Sequence, residues 1–217
     1  ALTPAGRAFM QQARQALDGL ERAALGIQSV SRRHSGTVTI ACVPSTVSTL
    51  VSRLLRLLSE KLPGVQFRLL DTTEGEVTAN VIRGKADFGI GFLSQDTPEI
   101  DFTPLARDPY AAAVHRSHEL ATRKRLGWDR LRREPLITVS RSSGNRPFVD
   151  QLLQASGEAP PVFIEVQRVS TVFSLVEAGL GVGLVPRLSL PAQHAQVVGI
   201  ALQSAVQRQI GVMVRHG

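Results

Sequence analysis

The sequence predicts an α/β protein made of two Rossmann-like lobes that share a hinge and a cleft, preceded by a long N-terminal helix. Three observations carry this. From Gly36 onward short β-type runs alternate with amphipathic helical runs, the pattern of a parallel sheet covered by helices. The order strand, helix, strand, helix, strand occurs twice, with a connecting stretch from Phe92 to Glu134 between the halves. Before Gly36 a single apolar seam at helical spacing runs without interruption.

That seam consists of Phe9, Ala13, Ala16, Leu20, Ala24 and Ile27, three or four residues apart, which places all six on one helix face. Thr3 caps the start with Pro4 at the first helical position, and Gly36 lies just beyond a basic last turn of Arg32, Arg33 and His34. Roughly 28 helical residues span about 40 Å, more than a small domain buries in its own core. Gly19 and Gly26 each cost about 1 kcal/mol relative to Ala. An Ala-rich seam with two glycines is expected to persist by pairing with a second copy.

The first half begins with a predicted strand, Thr37–Val43, a turn at Pro44, Ser45 and Thr46, and a helix Val47–Leu62 stopped by Pro63 and Gly64. A strand Val65–Leu70, a helix Glu76–Arg83 ended by Gly84, and a strand Asp87–Gly91 complete it. The connection holds one further strand, Tyr110–Val114. The second half reads as strand Leu136–Val139, helix Arg146–Gln154, strand Pro161–Val166, helix Ser170–Ala178 stopped by Gly179, and strand Val182–Val185. A short helix Leu188–Gln193 and strands Val197–Leu202 and Ile210–Val214 close the chain. In such sheets ligands bind beyond the carboxyl ends of the strands.

Composition narrows the function. A chain of 217 residues with 43% hydrophobic content buries a full core. Its apolar runs break well before the ~18 to 20 consecutive residues of a spanning helix. No secretory pattern opens the sequence, and the single cysteine, Cys42, fits a reducing cytoplasm. The net charge of +7 is concentrated in two places. One is the N-terminal helix; the other holds Arg123, Lys124, Arg125, Arg130, Arg132 and Arg133 against Asp129 and Glu134, and reads as a solvated face. With 5% aromatics the body lacks the stacking platform of a single-strand binder.

No motif with catalytic necessity is present: no G-x-S-x-G, no H-E-x-x-H and no phosphate-cradling G-x-x-x-x-G-K. Gly179-Leu180-Gly181-Val182-Gly183 follows a helix and precedes a strand, the reverse of a dinucleotide loop, so helix capping and close packing explain it. His115 and His118 make no convincing metal pair, and Cys42 reads as a small buried hydrophobe. An enzyme, a metal site and a cofactor are not expected. Ser45 and Thr46, between strand and helix, fit either an anion held by unsatisfied helix donors or plain N-capping worth about 1 kcal/mol. Arg146 is as suited to an ion pair with Asp150 one turn on as to a ligand.

An ordered set of short motifs runs through Leu2-Thr3-Pro4-Ala5-Gly6, Gly36-Thr37-Val38-Thr39-Ile40, Leu62-Pro63-Gly64-Val65 and Gly84-Lys85-Ala86-Asp87-Phe88-Gly89-Ile90. It continues through His118-Glu119-Leu120 and Pro135-Leu136-Ile137 to the run Glu177–Pro186. Taken in this order, the set resembles LysR-type transcriptional regulators. The winged helix-turn-helix that precedes the first motif in that family, and the helix that follows its final strand, are not in this sequence. The resemblance implies a linker and dimerisation helix at 1–35 and a type 2 periplasmic-binding-protein-like fold. Lobe I would comprise 36–107, with 209–217 returning to it, and lobe II 108–208.

The resemblance also implies a ligand site. Ser45 and Thr46 occupy the first effector loop, Thr72 and Thr73 the second, and Phe92 and Ser94 the first crossing. From the opposite lobe come Ser140, Arg141, Ser142 and Ser143, with Ser170 and Thr171 further on. Short hydroxyl residues with one Arg suit a small carboxylate or other oxyanion. Lobe closure around that effector would shift a homodimer or homotetramer, with DNA contacted only by the parent protein's N-terminal domain and no membrane involved. A periplasmic-type solute-binding protein shares the fold and is the alternative; the long helical seam and the opening motif favour the regulator.

Overall fold

The computed structural model describes residues 36–155, 162–190 and 196–217. The expected helix at 1–35 lies outside them, as do the first residue of the Pro161–Val166 strand and the second half of the Leu188–Gln193 helix. By contacts the described residues divide into two compact units, one from 36–38 with 54–68 and one from 39–53 with 69–217.

Strand β1 (Gly36–Cys42) leads through Val43 into a helical stretch that starts at Pro44, three residues before the expected Val47. Pro lacks an N–H and has a fixed φ, so it suits a first helical turn. The stretch is α1 (Pro44–Thr46), a π segment at Val47–Val51, and α2 (Ser52–Lys61). The Thr49 hydroxyl donates to the Ser45 carbonyl at 2.9 Å, a side-chain bond that competes with the helical ladder where it widens. In the smaller unit, Leu62 N–H donates to Leu58 and Val65 N–H to Leu62, which turns the chain into β2 (Val65–Asp71).

Helix α3 (Glu74–Ile82) begins two residues earlier than expected, because Thr73 and Glu76 form a capping box. That Thr-x-x-Glu spacing is present in the sequence and names Thr73 as the cap. After α3, Gly84 takes a φ of +60° and the chain enters β3 (Phe88–Gly91), parallel to β1 with Ile40 opposite Phe88.

Strand β4 (Ile100–His115) has 16 residues where only Tyr110–Val114 was expected. Pro104 and Pro109 hid the rest, since proline lacks a ladder donor and demotes a strand reading. The structure absorbs Pro104 with a bulge: Ala106 pairs with Ile210 but Pro104 with Gly211. Next come a 3₁₀ turn (Glu119–Thr122), β5 (Arg125–Leu126) and α4 (Trp128–Leu131), three short elements without periodic signal in the sequence.

Strand β6 (Leu136–Val139), helix α5 (Arg146–Ala155), strand β7 (Val162–Val166), helix α6 (Val169–Glu177) and strand β8 (Val182–Pro186) build the second half, with β6 parallel to both β7 and β8. A 3₁₀ turn (Arg187–Ser189) replaces the described part of the expected short helix. β9 (Val197–Leu202) and β10 (Gln207–Arg215) follow. The strand order is β2-β1-β3-β10-β4-β8-β6-β7, with β9 against β4 and β5.

This order makes β4 and β10, antiparallel to one another, the two crossings between lobes. Each lobe has its own apolar core. Val43, Val77, Val81, Phe92, Ile210 and Met213 belong to one, and Leu136, Val149, Leu152, Val172, Leu184 and Ile200 to the other. Phe148 packs against both. The Gly-rich run 179–183 serves packing: Gly179 takes a φ of +73° after α6, and a Cβ on Gly183 would stand 2.4 Å from Val172 Cγ1.

Candidate ligand-binding site

The buried guanidinium of Arg208, on β10, joins three side chains that are far apart in sequence. Its Nε donates to Asp108 Oδ2 at 2.8 Å, its Nη1 to Asn145 Oδ1 at 2.9 Å and its Nη2 to Ser45 Oγ at 2.8 Å. Ser45 comes from lobe I, Asn145 from the start of α5 in lobe II, and Asp108 from the paired crossing strand β4. Asp108 is fully buried and also accepts from Leu188 N–H at 2.9 Å. A charge this deep requires a paired, hydrogen-bonded partner, and one oxygen of the Asp108 carboxylate, Oδ2, supplies it, lying 2.8 Å from both Nε and Nη2. The guanidinium also lies 4.5 Å from the centroid of the Phe92 ring. Tyr110 Oη donates to Asn145 Oδ1 at 3.0 Å, and burial pushes its phenol well above the ordinary range, so it remains a donor.

The residues expected from sequence fall into distinct settings. Ser45 is half-buried and bonded to Arg208. Thr46 is fully buried, and its hydroxyl donates to the Val43 carbonyl at 2.8 Å, which secures the turn out of β1. Thr72 and Thr73 both donate to Glu76 Oε2, and these bonds hold the Glu76 carboxyl below its usual range, that from Thr72 contributing most. Phe92 is buried and meets Phe148 edge-on at 5.8 Å. Ser94 donates from N and Oγ to Glu74 at 3.3 Å.

On the lobe II side, Ser140 and Ser142 share a hydrogen bond at 2.9 Å, and Ser143 Oγ accepts from Asn145 N–H. Arg141 and Thr171 are exposed. Arg146 is bound to Asp150 at 2.6 Å, to Glu165 and to the Val139 carbonyl, so it ties α5 to β6 and β7. Cys42 is buried, its thiol pushed up to about 11 by desolvation and then by Asp71, consistent with a small core residue. In the basic segment, Arg130 pairs with Glu119, Arg132 with Asp129 and His118 with Glu134.

The structure adds Arg208, Asp108, Asn145, Tyr110 and Glu74. Glu74 opens α3 and reaches the opposite lobe: a Cβ on Gly144 would lie 2.6 Å from Glu74 Oε2. An open cavity of about 480 Å³ adjoins this region through Ser94 and Phe148 and is also lined by Leu93, Phe102, Gln207 and Gln209. Sequence spacing does not reveal the Asp108–Arg208 pair, whose members are 100 residues apart. The available signal was an Asp and an Arg at the two expected ends of lobe II, positions 108 and 208.

Two α/β lobes joined by a pair of crossing strands, with polar loops facing each other at the crossing, define a type 2 periplasmic-binding-protein-like ligand-binding domain. The chain belongs to the LysR-type transcriptional regulators: residues 31–217 match the LysR substrate binding domain family. Over 216 residues, 99% of this chain and 68% of its relative, it is 32% identical to the uncharacterized HTH-type transcriptional regulator YbhD of Escherichia coli K12. Full-length CbnR in complex with its target DNA matches with a TM-score of 0.80 at 22% identity, covering 99% of this chain and 75% of that one. The effector binding domain of QuiR in complex with shikimate matches with a TM-score of 0.75 at 19% identity, covering 84% and 88%. The family assignment favours a regulator's effector domain over a periplasmic solute-binding protein.

Proposed function

We propose that this chain is the sensing part of a longer cytoplasmic regulator and that a small carboxylate or other oxyanion binds where Ser45 of lobe I and Asn145 of lobe II converge. The carrying observation is the Arg208 bridge, which brings side chains of both lobes to one point. Lobe I is taken as 36–107 with 209–217, and lobe II as 108–208. Ser94, Ser140, Ser142 and Ser143 supply further hydroxyls around this point, with Arg141 exposed on the rim. Thr46, Thr72 and Thr73 shape the loops, and Phe92 forms the apolar floor. Thr171 stays a peripheral candidate.

Binding of the effector in this reading favours one lobe arrangement, and that preference is passed to a homodimer or homotetramer. In this reading residues 1–35 provide one subunit contact. Val162 and Phe163, 41% and 62% exposed on β7, offer apolar surface for another. DNA is contacted by a domain outside this chain, as the CbnR complex with target DNA illustrates for that protein. The chain performs no catalysis and needs no cofactor or metal; it contacts no membrane.

A thermal-shift screen against small organic acids, amino acids and inorganic oxyanions tests this. A ligand at ~100 times its Kd stabilises by about 2.7 kcal/mol. The expected result is an acid that raises the melting temperature of the parent and not of Ser45→Ala. A panel without a stabilising acid, or a hit indifferent to Ser45→Ala, overturns the reading.

A further inference from the structure

We infer that Arg208 fixes the hydrogen-bond polarity of this site: Ser45 and Asn145 accept from it, which leaves the Ser45 hydrogen and the Asn145 Nδ2 group to donate to a ligand. The consequence is selection for an acceptor headgroup, a carboxylate or another oxyanion, against a cationic donor of the same size. This rests on the ligand site proposed above and adds the rule by which it discriminates.

The reasoning begins with valence. A guanidinium has five N–H groups and no acceptor. Whatever it touches must accept. Ser45 Oγ accepts from Nη2, so its own hydrogen is left to point elsewhere, and it finds no acceptor among the described residues. Asn145 Oδ1 takes two donors, Arg208 Nη1 and Tyr110 Oη. Two donors on one amide atom identify it as the oxygen and fix which way the amide faces. The Nδ2 group therefore faces the other way, has no partner among the described residues, and is not among the sealed, unsatisfied polar atoms. It is open to a ligand as a pure donor.

Asp108 makes the arrangement stable without a ligand. It cancels the charge of Arg208 within the hinge, at 2.8 Å, so selection operates through hydrogen-bond direction rather than through an uncompensated positive charge. Arg208 thus acts as a positioning residue, through Ser45 and Asn145. Glu74 is an acceptor against the neighbouring Gly144, with its oxygens engaged by Ser94. It is the competing feature, because it would recruit a cation if those engagements were weak.

The test is NMR of the Asn145 side-chain amide, assigned with Asn145→Asp, titrated with acetate and separately with guanidinium. It uses the parent chain, Arg208→Lys, Arg208→Gln and Glu74→Gln. Lysine is also donor-only, whereas glutamine offers both a donor and an acceptor and frees the polarity. The expected result is an acetate-dependent shift in the parent and Arg208→Lys, lost at least severalfold in Arg208→Gln, with no shift from guanidinium. Three results overturn the inference: guanidinium acting as strongly as acetate, with that response lost in Glu74→Gln; no acetate response in the parent; or Arg208→Gln responding as the parent does. If Arg208→Gln does not fold, the acetate and guanidinium contrast in the parent and in Tyr110→Phe decides. A stabilising cation found through Ser45 sinks this rule and leaves the site; an acetate shift without any stabilising acid does the reverse.

Discussion

Asp108 and Arg208 stand opposite one another on the two strands that join the lobes, with Nε 2.8 Å from Oδ2 and both residues 2% exposed or less. Removing only one member leaves an uncompensated buried charge, at a cost of about 3–5 kcal/mol. Asp108→Asn is expected to lower the urea midpoint accordingly. Asp108→Leu combined with Arg208→Met is expected to recover much of that loss, because apolar replacement removes both desolvation penalties. Equal losses in the single and double variants contradict this.

Thr138 is fully buried in β6, and its Oγ1 has no partner among the described residues. An unsatisfied buried hydroxyl carries a desolvation penalty with no return. Thr138→Val keeps the shape and removes that penalty, so chemical denaturation is expected to show unchanged stability or a gain of about 1 kcal/mol. A loss above that size means the hydroxyl has a partner in solution.

Gly183 lies against α6 so closely that a methyl group meets Val172 and Val176 at 2.4 and 3.3 Å. Both are β-branched and stiff. Gly183→Ala is expected to destabilise by about 1–3 kcal/mol through overpacking, read from the shift in thermal midpoint.

Glu76 has its carboxyl held below the ordinary 4.5 by Thr72 and Thr73. A lowered folded value favours the folded state above 4.5, and that contribution disappears as pH falls through the folded value. Glu76 is exposed, so the effect is small. Urea midpoints measured from pH 6 to pH 3 are expected to fall more in the parent than in Glu76→Gln. Parallel curves contradict this.

Much of the fold was legible because its signals are local. The alternation of strands and helices, the Gly84 and Gly179 stops, and Leu136–Val139 as a strand all follow from neighbouring residues. The first half of β4 was not, because Pro104 is accommodated by a bulge opposite Gly211, a long-range arrangement. The site divides the same way. Ser45 could be read from its place after a strand, whereas the Arg208 bridge joins residues 63, 100 and 163 positions away. Thr46 shows the limit of the local reading, since the same helix-start position that suggested a ligand contact spends its hydroxyl on Val43.

The most direct measurement is a crystal structure of the chain grown with an acid that stabilises it in the thermal screen. The expected result is the acid's oxyanion in contact with Ser45 Oγ and Asn145 Nδ2, with Arg208 still paired to Asp108. An acid seated elsewhere, for example only in the cavity beside Gln207 and Gln209, would contradict the assignment of the effector site.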